Sequence, residues 1–181
     1  FLGVPLVVVY AAMAWMLTTR LERGAVARME RGAIERVAAL AGRLDDRMRL
    51  QGVDALAGSF AEMDRRAAEA RARYVVVDRS GKVVHDSGGR IPSGTDLAVS
   101  AEAVGRPEVS VAVREALAGG SGIARVEGTL SAETGWLVHV PLPSTGGAVF
   151  AGASEATLLE DLRSQMRLGL AVLALGLLAI L

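Results

Sequence analysis

Every Lys, Arg, Asp and Glu of this chain lies between two uncharged apolar runs, Phe1 to Leu17 and Leu168 to Leu181. A helix that crosses a bilayer needs about 20 predominantly apolar residues, and the first run approaches that length before Thr18, Thr19 and Arg20 close it. Its remaining residues are expected upstream of Phe1. The second run starts directly after Arg167 and is expected to continue past Leu181 as the start of a second span. Two spans around a charged segment predict a membrane-anchored domain, with the lipid bilayer as its first partner. Ala25-Val26-Ala27 offers a small-x-small cleavage pattern, but it lies beyond Arg20, Glu22 and Arg23, and no basic segment precedes the apolar run, which argues against a signal peptide. A buried core helix is the alternative for the second run.

Composition narrows what the middle segment can do. Its 20 basic and 20 acidic residues balance, so no basic face is expected for nucleic acid. Cysteine is absent, which is compatible with either side of a membrane. The length between the runs suits one domain with helical connections.

From Leu21 to about Leu50, Val26, Met29, Ala33, Val37, Leu40, Leu44 and Met48 recur at three- and four-residue spacing among Arg and Glu, which predicts an amphipathic helix leading out of the first run. Such a stripe suits parallel pairing of two subunits through Val26, Met29, Ala33, Val37, Leu40 and Leu44, and one face packed on its own domain gives a similar pattern. After Gln51-Gly52 a second helix is predicted from about Asp54 to Arg71. The character then changes. Tyr74 to Asp78, a turn at Arg79-Ser80-Gly81 and Lys82 to Asp86 predict a β-hairpin. A polar loop runs from Ser87 to about Asp96, Pro107 opens a helix that Gly119-Gly120 ends, and strands are predicted over Gly122 to Leu130, Gly135 to Pro141 and Gly147 to Ser154. Thr157-Leu158-Leu159-Glu160 has capping-box spacing for an exit helix. The expected fold class is α+β, a five-stranded antiparallel sheet with a long N-terminal helix, flanked by two transmembrane helices.

Three local patterns carry a resemblance. The run Tyr74-Val-Val-Val-Asp-Arg-Ser-Gly-Lys-Val-Val-His-Asp-Ser87 has an apolar strand, an Asp-x-x-Gly turn and a strand ending in Asp-Ser; Gly105-Arg106-Pro107-Glu108-Val109 has an Arg-Pro-Glu-Val helix start; Ala116-Leu117-Ala118-Gly119 has an Ala-Leu-x-Gly element before a strand. In this order they resemble the extracytoplasmic PAS-like sensor domain, of the PDC or single-Cache type, of transmembrane sensor histidine kinases. The resemblance implies a transmembrane helix over 1–19, a membrane-proximal helical region over 20–72, a PAS-like core over 73–155, an exit helix over 156–167 and the start of a second span over 168–181. It further implies that residues 20–167 are extracytoplasmic at the inner membrane, that the protein is a parallel homodimer, and that a two-component output lies past Leu181. Chemoreceptors, cyclic-dinucleotide cyclases and receptor phosphatases share this sensor type. The alternative is a membrane-anchored protein-interaction module. The stimulus is expected to be a small molecule or an extracytoplasmic protein, and the segment itself is not expected to be an enzyme or to hold a cofactor.

Site candidates are few. Asp86-Ser87-Gly88-Gly89 looks locally like a serine nucleophile loop, yet His85 is too near in sequence to serve Ser87 and only His139 remains, so no catalytic residue is assigned. His85 and His139, with Asp86 or Asp78, lack metal-site spacing, and a packed or hydrogen-bonded His139 is the simpler reading. Arg106, before Pro107, is positioned either to present a guanidinium fork to an anion or to tie its loop to a carbonyl or to Asp86. Tyr74, Arg125, Trp136 and His139 are the other candidates for lining a pocket. Asp45, Asp46, Glu62 and Asp64 interleave with Arg43, Arg47, Arg49, Arg65 and Arg66, which predicts solvated, salt-bridged helix faces rather than a cation site.

Overall fold

The computed structural model describes residues 28, 30–50, 56–127 and 135–154. Both terminal apolar runs, the expected exit helix, Val26 and Met29 lie outside those residues. Among the described residues no helix is long and apolar enough to cross a membrane.

The described elements follow the predicted order closely. They are α1 (residues 30–50), α2 (Ala57–Ala70), β1 (Ala72–Val77), β2 (Val83–Asp86), α3 (Leu97–Ala103), α4 (Pro107–Leu117), β3 (Gly122–Val126), β4 (Gly135–Leu142) and β5 (Gly147–Ser154). The β1–β2 turn forms because the Asp78 carboxylate accepts hydrogen bonds from the Ser80 N–H at 2.8 Å, the Lys82 N–H at 3.1 Å and the Ser80 hydroxyl at 2.7 Å. A short acidic side chain that folds back on its own backbone in this way stabilises a turn without help from the rest of the domain. Helix α4 begins with Pro107 at its first turn, where a missing N–H leaves no bond unmade. Helix α3 has no counterpart in the sequence reading. Its N-cap is Asp96, whose side chain accepts from the Val99 N–H at 3.0 Å.

The strands form one antiparallel sheet in the order β2-β1-β5-β4-β3. The last of the described strands, β5, thus lies in the middle. Side chains alternate between two faces, and both are covered. On one face Val75, Val77, Leu137, Ala148 and Phe150 pack with Leu97 and Ala101 of α3 and Val109, Ala112, Val113 and Ala116 of α4. On the other, Val76, Val138, Val140, Val149 and Ala151 pack with Val37, Leu40, Ala41 and Leu44 of α1 and with Leu56 and Met63.

This second core corrects the expected use of the α1 stripe. Val37, Leu40 and Leu44 are buried against the chain's own sheet, and Ala33 packs at the margin of the same cluster. An apolar stripe at three- and four-residue spacing serves a sheet as well as a second helix, and here the sheet covers it. Asp45 also departs from expectation. It is buried rather than solvated, and its carboxylate accepts from the Ser144 N–H at 3.0 Å and the Thr145 hydroxyl at 3.4 Å in the turn between β4 and β5.

Replacement of Leu44 by Ala is expected to cost about 2–5 kcal/mol of stability, and replacement of Leu50, which is 73% exposed, less than about 0.5 kcal/mol. Chemical denaturation measures both. A transition midpoint independent of protein concentration identifies packing within one subunit, whereas a concentration-dependent midpoint would return the stripe to a subunit interface.

Candidate functional site

The sheet separates the sequence candidates. Tyr74 of β1 and Trp136 of β4 project to the α1 face and line one cavity of about 120 Å³ together with Ala33, Arg36, Val37 and Ile123. Arg125 is the direct antiparallel partner of Trp136, so it belongs to the same face, at the exposed edge strand β3. The Tyr74 phenol is half-buried, and burial holds its pKa above the ordinary value of 10.0 against the opposing charges of Arg66 and Arg36. Ligand pockets usually enclose about 300–1,000 Å³, so this cavity admits only a very small group as it stands. Arg36, which the sequence reading passed over, borders it because it precedes Val37 on α1.

His139 lies on the opposite face, with Phe150 as its antiparallel partner on β5 and Gly122 on β3. Its side chain is 3% exposed and neither ring nitrogen has a hydrogen-bond partner. Glu115 of α4 is nearest in charge, its Oε2 3.5 Å from Nε2. A Cβ on Gly122 would come within 2.8 Å of the His139 Cε1 atom, so the missing side chain on β3 makes room for the ring. The packed half of the expectation for His139 therefore describes its place, and the hydrogen-bonded half does not. Burial pushes the imidazole pKa below 6.5, and the Glu115 charge only partly opposes that.

His85 and His139 cannot share a metal ion from opposite faces of a sheet. His85 faces α2, where its ring stacks on Phe60 with centroids 4.2 Å apart and its Nε2 lies 2.7 Å from the Asp64 carboxylate. Among the described residues no three His, Asp or Glu side chains gather in a metal-binding cluster.

Asp86 is the most heavily bonded carboxylate of the β2 end. Arg73 grips it with both arms of its fork, at 2.7 Å from Nε and 2.5 Å from a terminal nitrogen, and the N–H groups of Gly88, Arg90 and Ile91 close on it at 3.0, 2.7 and 2.8 Å. Ser87 completes the strand, accepting from the Tyr74 N–H at 2.9 Å through its hydroxyl and donating its own N–H to the Tyr74 carbonyl at 2.9 Å. The Asp-Ser pair thus closes a loop, and its serine hydroxyl is occupied by backbone. Arg106 donates its backbone N–H to the Ala101 carbonyl at 2.9 Å, which sets the turn from α3 into α4. Arg73 was missed by the sequence reading because its pairing depends on a register shift: regular counting from Val77 opposite Val83 sets Asp86 beside Tyr74, and only the irregularity between Val76 and Val77 brings Asp86 opposite Val75, on the face of Arg73.

Compared with known proteins, the chain matches no family model and no curated relative. The geometry alone therefore bears on function.

Two pH effects follow. Burial works to raise the Asp86 pKa, but the Arg73 guanidinium and the Ile91 and Gly88 N–H groups outweigh it and bring the carboxyl from 3.8 down to about 2. A carboxyl depressed on folding contributes stability above pH 3.8 that is lost as pH falls toward about 2. Asp86→Asn is expected to cost about 3–5 kcal/mol at neutral pH, because it removes the buried charge that the Arg73 fork and three backbone N–H groups converge on. Denaturation of both proteins from pH 7 to 2 checks this; the difference should shrink only below about pH 4.

His139 acts in a different range. The unfolded chain takes up a proton near 6.5 while the buried ring resists it, so stability is expected to fall as pH drops below 6.5. His139→Leu should remove that slope. An unchanged slope in the variant would assign it to other groups.

Proposed function

We propose that the chain is the extracytoplasmic sensor module of a transmembrane receptor, PAS-like of the PDC or single-Cache type, joined to a histidine kinase output. The observation that carries this reading is the antiparallel sheet in the order β2-β1-β5-β4-β3, with a long helix on one face and the α3–α4 connection on the other, an arrangement compatible with a PAS-like fold. The apolar runs at 1–19 and 168–181 support it as the two spans that would place residues 20–167 outside the inner membrane. In this reading α1 continues from the first span and β5 leads through residues 156–167 into the second. Asp45 then ties the entry helix to the turn that starts β5, so a stimulus that shifts α1 against the sheet reaches both spans. A stimulus can do so only by binding two arrangements of the domain unequally. A parallel homodimer fits the same reading, with its contacts on parts of α1 other than the covered Val37, Leu40 and Leu44.

An extracytoplasmic protein partner is the second reading of the stimulus. Its support is the exposure of Val99, Val104 and Val111, at 62%, 64% and 53%, on and beside α3 and α4. Single exposed apolar residues are ordinary, but three on one helical connection suit a protein contact.

The absence of cysteine makes the topology directly measurable. Ala118→Cys places one thiol at the exposed end of α4. Labelling of intact cells by a membrane-impermeant maleimide is the expected result. Labelling only after lysis would end the extracytoplasmic reading.

A further inference from the structure

Helices α1 and α2 face each other across a cleft of about 300 Å³ whose floor is Leu40, Leu44 and Met63 and whose walls carry Arg43, Arg47 and Arg66. Glu62 is the one acidic side chain in its lining. That carboxylate is already engaged twice, by the Arg66 Nε at 2.7 Å and by Arg65, which lies outside the cleft and reaches it at 2.7 Å. The neighbouring acids are turned elsewhere: Asp45 to the β4–β5 turn and Asp64 to His85. The cleft therefore holds more positive than negative charge.

Its arginines also have donors to spare. A guanidinium offers five N–H donors in a planar fork. Arg47 commits one terminal nitrogen to the Ser59 hydroxyl at 2.9 Å, and Arg66 commits its Nε. Among the described residues Arg43 is held by no hydrogen bond or ion pair. Three like charges around one concavity repel one another, and an oxyanion between them would relieve that repulsion while accepting paired N–H bonds. The volume is at the small end of ligand sites.

We propose that the α1–α2 cleft is a binding site for a small oxyanion, a molecule that presents a phosphate or carboxylate group to Arg43, Arg47 and Arg66. On the sensor reading, which ends the first span at residue 19, residue 43 stands about 20 Å of helical rise beyond residue 30, at about 1.5 Å per residue, which favours a dissolved anion over a lipid headgroup. Because the walls belong to two helices, the bound anion draws α1 and α2 together. Its role as the stimulus rests on the sensor reading; binding itself does not, and it is measured apart from signalling and topology.

The test is calorimetric titration of the full chain in non-ionic detergent with inorganic phosphate at fixed ionic strength, beside mixed micelles doped with phosphatidylglycerol. Saturable phosphate binding is expected, weakened about tenfold or more in Arg43→Gln, since a charge-assisted bond lost is about a tenfold change or greater. Among the described residues Arg43 makes no hydrogen bond or ion pair, so this variant is expected to fold as the parent does. Arg47→Gln should weaken binding similarly, and Arg90→Gln, at an exposed loop position, should leave it unchanged. Arg43-dependent binding of phosphatidylglycerol micelles alone would uphold the oxyanion site and move its source to lipid. No saturable binding of either probe, or equal loss in Arg90→Gln, would overturn the proposal.

Discussion

One strand, β5, is bonded along both edges and covered on both faces, and every other element is placed relative to it. Its sequence, Gly-Ala-Val-Phe-Ala-Gly-Ala-Ser, is unusually light for a central strand. The reason is local crowding. A Cβ on Gly147 would stand 2.3 Å from the Val77 carbonyl oxygen, so β1 can close on β5 there only beside glycine. Val149 and Phe150 then supply the bulk, one to each core. The two cores share no side chains but do share this strand, so a displacement of β5 is felt on both faces.

Around that apolar centre the polar ties are few and specific. Asp45 joins α1 to the β4–β5 turn, Asp64 joins α2 to His85 on β2, and Asp86 gathers Arg73 with the loop after β2. Asp45 and Asp86 each use a carboxylate to satisfy several donors at once, which suits loop ends where backbone N–H groups lack ladder partners. The exposed ion pairs of Arg65 with Glu62 and Glu69 are different in kind, since solvent and salt screen them and their net effect on stability is small.

Much of the architecture was legible because each signal was local. The strands were bounded by Gly, Ser and Pro, Pro107 marked a helix start, and Asp78 with Gly81 marked a hairpin; β5 was delimited to the residue. Helix α3 escaped because seven residues give too few turns for a period to show, and its one sign, Asp96 before Leu97, looked like the end of a loop. The candidate site was less legible. Tyr74 and Trp136 stand 62 positions apart, and what brings them to one cavity is the pairing of both β1 and β4 with β5, which alternation within a strand does not specify. The α1 stripe was read correctly as a stripe, but its period is the same whether a sheet or another helix covers it. The α1–α2 cleft drew no notice for a similar reason: arginines spaced along two helices look like solvated faces until the helices are set side by side.

The tie between Asp45 and Ser144 has a consequence for the order in which the protein is assembled. Its two ends are 99 residues apart, so a chain made from its N-terminus completes α1 long before the surface that receives it exists. At about 5–20 residues per second the wait is about 5–20 s. Throughout it, Val37, Leu40 and Leu44 have no sheet to cover them. The first of the described helices is thus late to find its seat, and until β5 emerges its apolar side is open to chaperones or to another nascent copy of itself.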